Sequence, residues 1–362
     1  MSEAIIEELI REAQSLRWAD PYRLVLGEKA VQLADNENDQ LIQFETRTHL
    51  IEFAAACGAM DRALVACAWC ASNPELLRQS TSYIHYQFLW NFKHILHGAF
   101  QLPQISKAKI QEILDQMSSF HKEYGYNQRA TAFLKFVIAM NMGDCEAAKK
   151  SHSRFVEIAR DSMADCEACE THSRVEFLSY VKRDQEALEV ATPLIKGTQS
   201  CAEVPHMTYC RLLQPLIRLG KLELADKYNK TGYAKIRSNL FLHKEASIHI
   251  GFDVFRGKLS RALSRFEQRL PKLLEAVEMV ERFYFFTIAG LLMEKLAEQR
   301  KTRKILFPKE FPLYNDSDQY KPAELADWFN RESQTLGAAF DQRNENDFFS
   351  NQLRSDLRFE NV

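Results

Sequence analysis

The chain has 362 residues, with 47 Lys and Arg against 49 Asp and Glu, for a formal net charge of −2. Near-neutrality excludes a global field that would gather nucleic acid or an anionic membrane. The 46% hydrophobic and 27% charged residues exclude a disordered chain. The 12 Gly and 10 Pro, about half their usual shares, disfavour a β-sandwich or a glycine-loop nucleotide enzyme.

Taken in chain order, the N-terminal stretch MSEAIIEELIREAQSLRW is acidic and amphipathic and lacks the basic start and unbroken apolar core of a secretion signal. The expectation is a cytoplasmic protein without a membrane span, because the longest apolar stretch, near Phe283 to Met293, falls short of the ~20 residues a bilayer needs. The eight cysteines are then expected to be reduced thiols. Residues 1–36 read as N-terminal capping helices, with Asp20-Pro21 opening the second.

From there to about residue 275 the chain reads as helix, with apolar residues at three- and four-residue spacing. One pattern recurs: a turn carrying Gly or its stand-in, a few polar residues, then an Ala opening the next helix. The copies are GAMDRAL with Ala63, GDCEAA with Ala148, KRDQEAL with Ala187, GKLELA with Ala225 and GKLSRAL with Ala262. The last four alanines are 39, 38 and 37 residues apart, and the 85 residues from Ala63 to Ala148 leave room for one more unit at QLPQISKAKIQEIL, with Ile110 in the Ala place. Gly suits the left-handed conformation that ends a helix, and a small Ala lets two helices approach closely just after the turn. A single hairpin leaves an apolar face that only the next one can bury.

These turns resemble those of tetratricopeptide repeats, most closely at GDCEAA (Gly143, Ala148) and GKLELA (Gly220, Ala225). The resemblance covers about Leu41 to Leu274; the period exceeds the family's ~34 residues by about one helical turn, and no unit carries the full Trp-Leu-Gly-Tyr signature. It implies an all-α, right-handed α-solenoid of about six hairpins, one continuous domain with residues 37–275 as the repeats. Residues 276–362 read as C-terminal capping helices and a polar tail. Within them Phe283–Gln299 is an apolar helix, Phe307–Pro322 with its three prolines is a loop, and PAELADWFNRESQTLGAAF is a last helix with Leu325, Trp328, Phe329 and Leu336 on its buried stripe. Past Asp341 the tail is polar except for Phe348 and Phe349, which are placed to dock back.

No phosphate-binding glycine loop and no HExxH zinc motif occurs, and the S-x-x-K at Ser106 to Lys109 lacks a companion motif. The expectation is a non-enzymatic protein. Cys67-Ala-Trp-Cys70 falls inside a second helix, where thiols serve as small core residues. Cys166, Cys169, Cys201 and His206 are different. Cys166 and Cys169 share one helix face, and Pro205 is expected in the first turn of the next repeat's helix, with Cys201 in the loop before it and His206 just inside. Neighbouring repeats bring equivalent helix starts about 8–10 Å apart, so these four could converge on tetrahedral zinc; buried thiols and a hydrogen-bonded His at a repeat junction explain the same residues. No other cofactor is expected.

In the tetratricopeptide family first helices line a concave groove that holds a peptide or a partner's helix. Carried over by position, the resemblance implies a groove surface of Arg47, Glu52, Trp90, Lys93, His94, Arg174, Glu176, Tyr180, Gln214, Arg218 and Lys244. Aromatics beside Arg and Lys suit a protein-binding surface, although Trp90 also suits a core. The expected function is a protein- or peptide-binding scaffold, such as a bacterial regulator or toxin-neutralising partner, acting as a monomer or weak homodimer without nucleic acid or membrane. The alternative is a ligand- or zinc-sensing protein whose repeat stack changes shape.

Overall fold

A computed structural model of the protein describes residues 2–360. The described chain is all-α apart from one antiparallel pair of two-residue strands, β1 (Arg303–Lys304) and β2 (Gln319–Tyr320), with Arg303 opposite Tyr320. None of its helices is long and apolar enough to cross a membrane.

Residues divide into two compact units: Met1–Gln101, Ile105–Ile138 and Lys150–Ala164 form the first, and Leu102–Gln104, Ala139–Lys149 and Asp165–Val362 the second. The helices run α1 (Ser2–Ser15), α2 (Pro21–Asp35), α3 (Gln40–Ala56), α4 (Met60–Ala71), α5 (Pro74–Gln79), α6 (Ser82–Ala99), α7 (Lys107–Glu123), α8 (Arg129–Asn141) and α9 (Cys145–Glu157). They continue as α10 (Glu167–Tyr180), α11 (Asp184–Ile195), α12 (Thr208–Arg211), α13 (Leu213–Arg218), α14 (Leu222–Ile236), α15 (His243–Phe255), α16 (Leu259–Leu274) and α17 (Met279–Ala297). After the strand pair come α18 (Pro322–Asn344), a π-helical turn at Phe349–Leu353 and α19 (Arg354–Leu357).

The recurring turn of the sequence is one recurring backbone geometry. Gly58, Gly143, Lys182, Gly220 and Gly257 all have positive φ, from +59° at Lys182 to +81° at Gly143. The next residue's N–H reaches back five residues to a carbonyl of the helix just ended: Ala59 to Ala54, Asp144 to Ala139, Arg183 to Leu178, Lys221 to Leu216 and Lys258 to Asp253, at 2.8 to 2.9 Å. That bond closes a Schellman turn, satisfying carbonyls that the helix end orphans. Five residues after each turn residue stands Ala63, Ala148, Ala187, Ala225 or Ala262, and every one is fully buried. Where the turn is longer, side chains cap the helix instead. Asp39 accepts from the Leu41 and Ile42 N–H groups, and Ser106 Oγ accepts from Lys109 N–H at 3.1 Å. The S-x-x-K spacing is therefore a helix cap.

In the first unit, Ile6, Leu9 and Ala13 of α1 pack on Leu26, Ala30 and Ala34 of α2 and on Phe53 of α3. Further along, Phe44, Phe88, Phe92 and Phe120 form a chain of rings with centroids 5.5 to 5.7 Å apart. Cys67 and Cys70 are buried in α4. Burial pushes the Cys67 thiol up to about 12 and Cys70 higher still, as expected of inert core thiols.

The second unit's core gathers around α17, which is apolar on all sides and buries Phe283, Phe285, Phe286, Ile288 and Leu292. The proline-rich segment after α17 folds onto this helix's neighbours: Phe307 stacks on Phe311 at 4.1 Å, and Phe311 packs against Trp328 and Phe329 of α18. Phe348, Phe349, Leu357 and Phe359 are also buried in that core, so the tail beyond α18 is part of the fold.

A charged group is buried here as well. Asp253, fully shielded on α15, pairs with Arg261 and Arg265 of α16 and accepts from Asn229 Nδ2 at 2.6 Å. Asn229 Oδ1 in turn lies 2.7 Å from His249 Nδ1. Burial, together with the nearby arginines, holds His249 neutral.

Candidate binding cavity and thiol cluster

The second unit encloses a cavity of about 120 Å³. Helices from successive hairpins contribute to it. Helix α10 supplies Glu176 and Tyr180, α12 and α13 supply Arg211, Gln214 and Arg218, α15 supplies Lys244, and Asn141 and Tyr284 complete the wall. Helical spacing accounts for this: Glu176 and Tyr180, or Gln214 and Arg218, are four residues apart and share one face.

The deep side of the cavity is an ion-pair network. Arg211 Nε lies 2.7 Å from Glu176 Oε1, its NH2 group lies 3.1 Å from Glu245, and Lys244 Nζ lies 3.7 Å from Glu176. Burial alone would raise the Glu176 carboxyl, but Arg211 and then Lys244 hold it at about 2. His172 Nε2 lies 3.6 Å from Glu176, while its Nδ1 meets Thr208 Oγ1 at 3.0 Å; burial lowers its pKa. Glu281 has the opposite fate. Burial and the neighbouring Glu245 carboxylate push it up to about 8, against Lys244, whose backbone N–H donates to it. Arg218 is held apart from this group by a two-pronged bond to Asp184 at 2.7 and 2.8 Å.

The protein's own C-terminal segment forms part of the wall, through Phe348, Leu353, Asp356, Leu357 and Phe359. Gln214 Nε2 donates to the Asp356 carbonyl, and the Tyr180 ring meets Phe348 edge-on at 5.8 Å. Phe359 lies against Phe252 and Phe255. Two glycines make room for this: a Cβ on Gly143 would stand 2.3 Å from the Phe348 side chain, and one on Gly251 would stand 3.1 Å from the Phe359 ring.

Of the groove residues named from sequence, Glu176, Tyr180, Gln214, Arg218 and Lys244 come together in this cavity. Arg174, also on α10, is half-buried and is not among the lining residues. Those of the first unit are engaged within it. Arg47 grips Asp35 at 2.7 and 2.9 Å and stacks over Trp69, and Glu52 pairs with Arg23 at 2.8 Å. Lys93 is buried with its ammonium 3.5 Å from the centre of the Trp90 ring, and His94 packs on Trp18. Sequence reasoning missed Arg211, Glu245 and Glu281. Arg211 lies three residues before Gln214, one helical turn away, which is the only signal that could have found it.

The thiols form a second cluster. Cys166 is the N-cap of α10 and its Sγ accepts from Cys169 N–H at 3.3 Å. Cys201, in the loop before α12, brings its Sγ to 3.4 Å from Cys169 Sγ, and all three sulfurs lie within 4.8 Å of one another. Burial would raise the Cys201 thiol, but the Glu203 N–H and the Cys169 thiol, then the Val204 N–H and Cys166, bring it below its ordinary value. Cys169 is raised, chiefly by burial. His206 is not one of this group. It lies in the turn of residues 204–207 ahead of α12, which starts only at Thr208, so Pro205 does not open the helix as its position suggested.

The chain matches no model of a known protein family, and no curated protein matches it in sequence.

Proposed function

We propose that this protein is a non-enzymatic scaffold that binds a protein segment, built as a tetratricopeptide-like right-handed solenoid of about six hairpins. The repeated Schellman turn with a buried Ala five residues later supports the repeat reading. One observation carries the binding reading: side chains of successive hairpins and an aromatic-rich stretch of the protein's own chain, within residues 348–359, line one cavity together. A cavity of this size lies below the roughly 300–1,000 Å³ of small-molecule sites. It suits side chains inserted from a peptide. The partner is then a segment with the tail's chemistry, aromatic residues around a carboxylate, competing with the tail for the same wall.

The test is anisotropy of a labelled peptide covering residues 344–362, measured against the whole protein and against Phe348→Ala/Phe359→Ala. We expect at least ten-fold tighter binding to the variant, whose own tail holds the groove less firmly. Equal or absent binding to both, with the variant's helix content unchanged by circular dichroism, would refute the reading.

A further inference from the structure

Cys166, Cys169 and Cys201 come from two chain segments more than thirty residues apart, yet their sulfurs meet within 4.8 Å. Cys166 is fixed as a helix cap whose Sγ accepts from the Cys169 N–H, a contact that stabilises a thiolate, the form that ligates metal. With metal–sulfur bonds of about 2.3 Å, tetrahedral geometry sets neighbouring sulfurs roughly 3.8 Å apart. The Cys169–Cys201 separation of 3.4 Å and the 4.8 Å limit for the group bracket that value. Cys166 is exposed, which gives an ion a way in, while Cys169 and Cys201 are half-buried against Ala168, Leu194 and Val204, which limits competing water.

We propose that these three cysteines bind one thiophilic divalent cation of the Zn2+ type as a three-thiolate site. The fourth coordination position is left to a water or another exogenous donor, because His206 lies outside the cluster. Binding displaces one proton from each thiol that is protonated and involves no redox step. The site is independent of the groove and of what the groove holds.

The experiment uses the full chain, reduced and stripped with chelator, then titrated with Co2+ and competed with Zn2+. We expect one equivalent of Co2+ to give a sulfur-to-metal charge-transfer band that an equivalent of Zn2+ abolishes. Cys201→Ser and Cys166→Ser should each weaken binding at least ten-fold, while Cys57→Ser, in the other unit, leaves it unchanged. Cys166→Ser keeps a good helix cap at an exposed position, so it reads ligation without disturbing the fold. In the unaltered protein, Zn2+ should also slow alkylation of Cys166 and Cys201 but not of Cys57. A missing charge-transfer band, a band that survives in both Ser variants, or alkylation indifferent to Zn2+ would overturn the proposal.

Discussion

Phe348 lies so close over Gly143 that a single added methyl group would come within 2.3 Å of its side chain. The left-handed turn between α8 and α9 is thereby also the seat of the C-terminal segment. Gly143→Ala meets two penalties, the φ of +81° and the collision, whereas Gly220→Ala, at φ +70° with nothing within 4 Å of the new Cβ, meets only the first. We expect a loss of about 1 kcal/mol for Gly220→Ala and about 2–4 kcal/mol for Gly143→Ala in urea unfolding. Adding Phe348→Ala should bring the two glycine substitutions close to equal; a difference that persists would detach the turn from the tail.

Lys182 holds the same turn conformation as the four glycines, at φ +59°. A side chain there costs about 1 kcal/mol, partly offset by the smaller entropy of a non-glycine unfolded chain. Lys182→Gly should therefore raise the free energy of unfolding slightly, by up to about 1 kcal/mol in urea titration. A clear loss of stability would show that the Lys182 side chain contributes contacts that outweigh its strain.

Glu176 is the hinge of the buried ion pairs. Glu176→Gln leaves Arg211 with a single carboxylate, Glu245, and Lys244 with none at Glu176, and we expect a cost of about 3–5 kcal/mol. The pH dependence follows from its direction of shift. Its folded pKa of about 2 lies below the ordinary 4.5, so its stabilisation is complete above about pH 4.5 and disappears as pH falls toward 2. Acid unfolding in that window should be shallower in Glu176→Gln than in the unaltered protein.

Glu281 works in the opposite sense. With its folded pKa at about 8, the native state holds a proton between pH 4.5 and 8 that the unfolded chain has released, so stability falls as pH rises through that range. Glu281→Gln keeps an acceptor for the Lys244 N–H without the charge cost. It should match the unaltered protein near pH 4.5 and exceed it by on the order of 2–4 kcal/mol at pH 8. Parallel pH profiles for the two proteins would show that Glu281 ionises normally.

Much of the local architecture was legible in the chain. The turn-plus-Ala pattern located five helix junctions, and the structure gives each the same backbone geometry, because a left-handed turn residue and a small residue one turn later are demands that neighbouring residues alone can meet. Even the replacement of Gly by Lys182 could be read, from the spacing of the alanines around it. The family resemblance, carried over by position, named Glu176, Tyr180, Gln214, Arg218 and Lys244, which line one cavity. Residue spacing grouped Cys166, Cys169 and Cys201 with His206, and the three thiols do meet.

Other features were decided only by tertiary packing. Trp90 and Lys93 have the composition of a contact surface, yet Lys93 is buried and turned onto the Trp90 ring, a choice set by which face its neighbours cover. His206 has the right spacing for a ligand but stands in a turn rather than in the helix, so it does not join the thiols. Above all, Phe348 and Phe359 line one cavity with Glu176 and Arg211 across more than 130 residues of chain, and no local pattern encodes such a meeting. Helix-scale periodicity specifies what each segment must bury; which surface buries it depends on the shape that all the segments make together.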